Sequence, residues 1–203
     1  TPVQEASLPA ILAGKDVRAQ AKTGSGKTAA FGLGLLQRID AKQFNTQSLV
    51  LCPTRELADQ VANELRRLAR FLPNIKILTL CGGVPFSIQR DSLIHAAHII
   101  VATPGRLLDH LNKQTVTLAD VKTLVLDEAD RMLDMGFFDD ISDIISQMST
   151  QRQTLLFSAT WPDEIAKISR KIQQDPVTIE INSPDELPAV EQQFYEISRY
   201  GKL

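Results

Sequence analysis

Seven short apolar runs, separated by helical patterns, limit the fold of this chain more than any other feature of its sequence. They lie at residues 17–21, 48–52, 75–80, 99–102, 123–127, 154–157 and 177–181. Most are apolar on both faces. A strand with one wet face alternates apolar and polar residues, whereas a strand covered on both sides reads as a continuous apolar run. Helical segments fit between the runs. Residues 55–71 form the longest, with Leu57, Val61, Leu65 and Leu68 on one stripe, and residues 162–173 follow the sixth run. This alternation reads as an α/β domain: a doubly wound, mostly parallel sheet of about seven strands with helices on both faces. Such folds bind ligands at the carboxyl ends of their strands, so chemistry is expected in the segments just after each run.

The first such segment is Ala21-Lys22-Thr23-Gly24-Ser25-Gly26-Lys27-Thr28, between a strand and a helix. Its glycines let main-chain N–H groups turn inward around an anion, and the helix N-terminus adds partial positive charge. Lys27 can reach the terminal phosphates of a nucleotide, and Thr28 can offer its hydroxyl to Mg²⁺. The strict form of this P-loop has Gly where this chain has Ala21. The fifth run ends in acid, Asp127-Glu128-Ala129-Asp130. One carboxylate at a strand tip can hold Mg²⁺ through water while its neighbour orients or deprotonates the attacking water. Alone this would be a solvated acidic turn; behind a P-loop it supplies what nucleotide hydrolysis still lacks.

Composition sets bounds rather than function. Hydrophobic residues make up 43% and charged residues 23%, as in an ordinary soluble globular domain. The net charge of -2 excludes a polyanion binder by bulk charge, so nucleic-acid binding would need a local basic patch. No apolar run approaches the ~18 residues of a membrane span. Cys52 and Cys81 lie in apolar runs and read as buried reduced thiols, consistent with a cytoplasmic location. His95 and His98 read as ordinary polar residues before a strand, Trp161 as packing at a helix start, and Phe137 and Phe138 as loop anchors.

In these motifs, over essentially its whole length, the chain resembles the DEAD-box family of ATP-dependent RNA helicases. Asp127-Glu128-Ala129-Asp130 spells the family name, and a P-loop opening on Ala is that family's own variant. Pro53-Thr54-Arg55-Glu56-Leu57-Ala58, Gly82-Gly83, Thr103-Pro104-Gly105-Arg106 and Ser158-Ala159-Thr160 follow in the family's order. The wording between motifs, Lys15-Asp16-Val17-Arg18 included, resembles the bacterial branch called DEAD-box protein A, which is stimulated by large-subunit ribosomal RNA and works in ribosome assembly.

The resemblance implies a RecA-like P-loop NTPase domain at residues 1–183, followed from 184 to 203 by the start of a linker to a second RecA-like domain. It implies ATP and Mg²⁺ as cofactors, RNA as partner, and a monomer that avoids membranes. Gln4 would read adenine, and residues Thr23, Gly24, Ser25, Gly26, Lys27 and Thr28 would cradle the phosphates. Thr28 and Asp127 would hold Mg²⁺, largely through water, and Glu128 would activate the attacking water. Asp130 would bond to Ser158 and Thr160 and couple hydrolysis to RNA. Thr54, Arg55, Gly83, Thr103, Gly105 and Arg106 would grip the RNA backbone, which is read by shape and 2′-hydroxyls. The family's second-domain arginine-finger motif is not found in these residues, and both chain ends read as boundaries inside a longer protein.

Three alternatives stay open. Thr1-Pro2-Val3-Gln4 is also a capping box, and Thr54 and Thr103 also suit plain helix caps. Asn112-Lys113-Gln114-Thr115 nearly supplies the guanine-reading Asn-Lys-x-Asp of a GTPase switch, with Thr115 where Asp is needed. A fragment that binds RNA or a partner without hydrolysing anything is the third.

Overall fold

The computed structural model describes residues 1–181. The expected domain end at 183 and the linker at 184–203 lie outside the described residues. The strands are β1 (Val17–Gln20), β2 (Ser48–Leu51), β3 (Ile77–Leu80), β4 (Ile99–Ala102), β5 (Thr123–Leu126), β6 (Gln153–Ser158) and β7 (Val177–Glu180). They form one seven-stranded sheet in the order β3-β4-β2-β5-β6-β1-β7, with every neighbouring pair parallel. The helices are α1 (Pro2–Leu12), α2 (Lys27–Arg38), α3 (Arg55–Leu68), α4 (Phe86–Ser92), α5 (Pro104–Asn112), α6 (Ala129–Asp134), α7 (Phe138–Ser146) and α8 (Asp163–Ile172).

The continuous apolar runs follow from this layering. In β2, Val50 joins one buried cluster while Leu49 and Leu51 join the other; in β5, Val125 opposes Leu124 and Leu126 in the same way. The first cluster is closed by Ile11 of α1, Phe31 and Leu35 of α2, and Leu65 of α3. The second is closed by Leu107 of α5, Met132 of α6, Ile144 of α7 and Ile165 of α8. Period-two alternation is present in these strands, but both faces meet oil, whereas β7 at the sheet edge turns Thr178 and Glu180 to solvent. Helices α1 and α2 approach closely at Gly34, where a Cβ would stand 2.2 Å from Ile11 Cγ2.

Two elements differ from the sequence reading by more than one residue at an end. Strand β3 starts at Ile77 rather than 75, because the Lys76 N–H donates to His98 Nδ1 (3.0 Å), a side chain, instead of to a neighbouring strand. The expected helix over 55–71 is α-helical to Leu68 and then tightens into one 3₁₀ turn, Ala69–Phe71.

Strand order positions the motifs. Neighbours β5, β6 and β1 carry at their carboxyl ends the DEAD carboxylates, the Ser158 motif and the P-loop. Neighbours β3, β4 and β2 carry the Gly82-Gly83, Thr103 and Thr54 segments. The two sets share one end of the sheet and divide it between them.

Candidate functional site

The P-loop continues the β1–β6 pairing through Ala21 N–H to Ser158 O (2.9 Å) and then turns into α2. Gly26 has φ 93°, a left-handed conformation that disfavours any side chain. A Cβ there would also stand 2.7 Å from Gln4 Nε2. The same Nε2 donates to Gly26 O (3.0 Å), while Gln4 Oε1 accepts from the Thr1 main-chain nitrogen (3.1 Å). Gln4 therefore caps α1, as the capping-box reading has it, and also clamps the P-loop to that helix.

Lys27 opens α2 and is buried. Its Nζ lies 3.0 Å from Asp127 Oδ1 and 3.8 Å from Glu128 Oε1. Burial raises the Asp127 carboxyl above its usual range, and the Lys27 ammonium opposes that rise. Asp127 N–H donates to Leu51 O (3.0 Å), which holds the strand end in line with β2. Glu128 then takes φ 55° and ψ 53° as the N-cap residue of α6. A left-handed conformation in a non-glycine residue costs roughly 1–3 kcal/mol and persists only where its surroundings hold it. Here the Thr23 hydroxyl donates to Glu128 Oε1 (2.5 Å), and Arg131 Nη1 lies 3.5 Å from Oε2. The conformation turns the carboxylate back toward the P-loop.

These groups line an open cavity of about 490 Å³, whose far wall is Gln60, Glu64 and Arg67 of α3. Ser25 Oγ, Lys27 Nζ and Asp127 Oδ1 are buried yet form no bond of hydrogen-bond geometry. Buried polar atoms are rarely left so unless a water, an ion or a ligand completes them. A hydroxyl and an ammonium suit phosphate oxygens. The Thr28 hydroxyl and the Asp127 carboxylate are hard oxygen donors of the kind that could hold Mg²⁺.

Behind the carboxylates, Asp130 ties β5 to β6. Its Oδ2 accepts from both the N–H and the hydroxyl of Thr160 (2.9 Å each), and its own N–H donates to Ser158 Oγ (3.1 Å). Partial burial would raise this carboxyl, but the Thr160, Ser158 and Arg131 hydrogen bonds outweigh burial and hold it below its usual range. The three residues expected to act together are in contact.

The other half of the sheet end carries the residues expected to meet RNA. Thr54 N-caps α3, its Oγ1 accepting from Leu57 N–H (3.4 Å). Arg55 is exposed, 3.8 Å from Asp59, and reaches over Gly83. Thr103 stands at the N-cap of α5 without a side-chain cap bond, its N–H donating to Leu80 O (3.2 Å), and Gly105 follows in the first turn. Arg106 turns inward: Nη1 donates to Val84 O (2.8 Å) and Gln89 Oε1 (2.7 Å), and only 16% of the side chain is exposed.

Nothing in the sequence pointed to Gln89, to the Thr23–Glu128 bond, or to the α3 wall beyond its helical spacing of 57, 60, 61, 64 and 67. Other residues fall away from the site. His98 is buried and accepts the Lys76 N–H, with Phe44 against its ring. Thr115 bonds to His110 at the end of α5, and neither Asn112 nor Lys113 lines the P-loop cavity. Among the described residues no helix is long and apolar enough to cross a membrane.

Residues 1–168 match the family described as DEAD/DEAH box helicase. The chain is 75% identical over 203 residues to the ATP-dependent RNA helicase DbpA of Escherichia coli (strain K12), covering 100% of this chain and 44% of that protein. It is 48% identical over 195 residues to the ATP-dependent RNA helicase CshA of Listeria monocytogenes, covering 96% of this chain and 37% of the relative. A crystal structure of a DEAD box protein from the hyperthermophile Methanococcus jannaschii superposes with a TM-score of 0.84 at 40% identity, covering 89% of this chain and 49% of that one. A hypothetical ATP-dependent RNA helicase from Sulfolobus tokodaii gives 0.81 at 42% identity, covering 89% of this chain and 52% of that one. The chain thus spans less than half the length of the curated relatives it matches.

Proposed function

Because this chain belongs to the DEAD/DEAH box helicase family, we propose that it is the ATP-binding domain of an ATP-dependent RNA helicase of the DbpA type. That enzyme hydrolyses ATP when RNA is bound and opens short duplexes locally. The observation that carries the reading is the cluster of Lys27, Asp127 and Glu128 at one sheet end, tied through Asp130 to the next strand.

The P-loop N–H groups, Ser25 and Lys27 bind the phosphates. Lys27 gives up part of its pairing with Asp127 to do so, which suits an ammonium now short of hydrogen-bond partners. Thr28 and Asp127 hold Mg²⁺, which when bound neutralises phosphate charge. Glu128, kept in its strained conformation, orients the attacking water and accepts its proton. Gln4 fixes the P-loop against α1 and reads adenine from the same position. Thr54, Arg55, Gly83, Thr103 and Gly105 meet the RNA backbone, while Arg106 braces the loops that carry them.

The composite site also needs a second RecA-like domain in cis. Without its arginine fingers the transition-state charge is poorly stabilised, a loss on the order of 10³ or more in rate. The isolated chain is therefore catalytically incomplete. High identity to the DbpA relative supports large-subunit ribosomal RNA as substrate during ribosome assembly, by a monomer in the cytoplasm. The buried free thiols of Cys52 and Cys81 suit that reducing compartment.

Nucleotide binding tests the first half of this reading. ATP·Mg²⁺ is expected to bind the chain more tightly than GTP·Mg²⁺, and Lys27→Ala to abolish most of that affinity, by calorimetric titration. Equal affinity for the two, or native affinity in Lys27→Ala, would contradict it.

A further inference from the structure

Gln89 lies in α4, outside every motif named above, and is 5% exposed. Its Nε2 donates to Cys81 O (2.9 Å), the residue just before Gly82-Gly83. Its Oε1 accepts from Arg106 Nη1 (2.7 Å) and lies 3.1 Å from His110 Nε2. Arg106 Nη1 also donates to Val84 O (2.8 Å), on the other side of the glycine pair. One buried amide therefore joins the loop after β3 to the first and second turns of α5, across a sequence gap of 17 residues to Arg106.

A core position facing α5 would ordinarily be filled by Leu or Met, since a buried amide is costly where its polar atoms go unpaired. Here both polar atoms are paired, Nε2 once and Oε1 twice, and each bond ends on a segment flanking Gly83 or on α5. The surroundings keep the amide in place. The Phe86 ring stacks on His110 at 4.2 Å and 18°. His110 Nδ1 lies 2.8 Å from the Thr115 hydroxyl, and its Nε2 faces the Gln89 amide oxygen, so that contact is a hydrogen bond in the tautomer that carries the proton on Nε2.

We propose that Gln89 is a positioning residue for RNA binding. It holds the Gly83 loop and the N-terminal turn of α5, with Thr103, Gly105 and Arg106, at one fixed separation, so that a single RNA backbone meets both. It touches no reacting atom. The inference rests on reading this edge of the sheet as the RNA surface.

The test uses the longer enzyme in which this chain is joined to its second RecA-like domain. The readouts are the KM for a mixed-sequence single-stranded RNA oligonucleotide in stimulating ATP hydrolysis, and the KM for ATP. Gln89→Met keeps the side-chain length and removes every polar atom. It is expected to raise the RNA KM on the order of tenfold, while the ATP KM stays within about twofold. Combined with Arg106→Ala it is expected to add nothing to the single Arg106→Ala effect, because the two act through one tie. Arg55→Ala, on the exposed side of the same edge, serves as the control for RNA contact. A native RNA KM in Gln89→Met, where Arg55→Ala raises it, would overturn the positioning role. So would an effect that simply adds to that of Arg106→Ala. Native RNA KM values in both Arg55→Ala and Arg106→Ala would instead overturn the RNA reading of this edge, and the inference with it. Should Gln89→Met not fold, Gln89→Asn, one methylene too short to span both partners, serves in the same comparison.

Discussion

Glu128 and Gln4 show how single residues in this chain carry more than one duty. Glu128 holds a backbone that glycine would adopt more readily, yet it carries the carboxylate that the proposed proton acceptor must have. Glu128→Gln preserves the shape and the Thr23 contact but cannot take a proton. ATP affinity is therefore expected to stay within about threefold of native while hydrolysis in the two-domain enzyme falls by at least roughly 10². Hydrolysis at the native rate would remove Glu128 from the chemistry. Gln4 was legible in the sequence as a cap or as an adenine reader. Its bond to Gly26 O was not, because that contact spans 22 residues and depends on how α1 lies against the P-loop. Gln4→Glu retains the cap but sets a carboxylate against a carbonyl. It is expected to cost about 1 kcal/mol of nucleotide-free stability and to shrink the preference for ATP over GTP. Unchanged urea midpoints would show that the Gly26 contact contributes nothing.

At the scale of elements, the junction of β5 and β6 is where hydrolysis and RNA binding would communicate, and it is fastened by an ionised side chain. The Asp130 carboxyl is held below its ordinary value, so the unfolded chain takes up that proton first as pH falls. Its stabilising effect is complete above the unfolded pKa of about 3.9. It is lost as pH drops through the lower folded value. Denaturation midpoints measured from about pH 5 down to about pH 2.5 are expected to fall less steeply in Asp130→Asn than in the native chain. Parallel curves would mean that the Thr160 bonds do not favour the charged form. Segments bearing chemistry could be placed in the sequence because each follows an apolar run. The inward turn of Arg106 could not, since its partners belong to α4 and the loop after β3, and a helix of seven residues leaves almost no periodic signal.

Across the whole molecule, strand order divides the sheet end between the segments proposed to bind nucleotide and those proposed to meet RNA. The central strands β2, β4 and β5 were legible because two apolar layers make them apolar on both faces. Their order in the sheet was not, since these central runs are alike in character and only the packing of the crossover helices decides which strands become neighbours. That order sets Asp130 in contact with Ser158 and Thr160 at the junction of β5 and β6, strands that lie between β1, which leads into the P-loop, and β2. The most direct measurement is steady-state ATP turnover, with and without RNA, by this chain alone and by the same chain joined to its second RecA-like domain. The result expected is negligible, RNA-independent turnover by the chain alone, and RNA-stimulated turnover at least roughly 10³ higher once the second domain is present. Vigorous turnover by the chain alone, or a joined enzyme indifferent to RNA, would contradict the proposal that this is the ATP half of an RNA-activated machine.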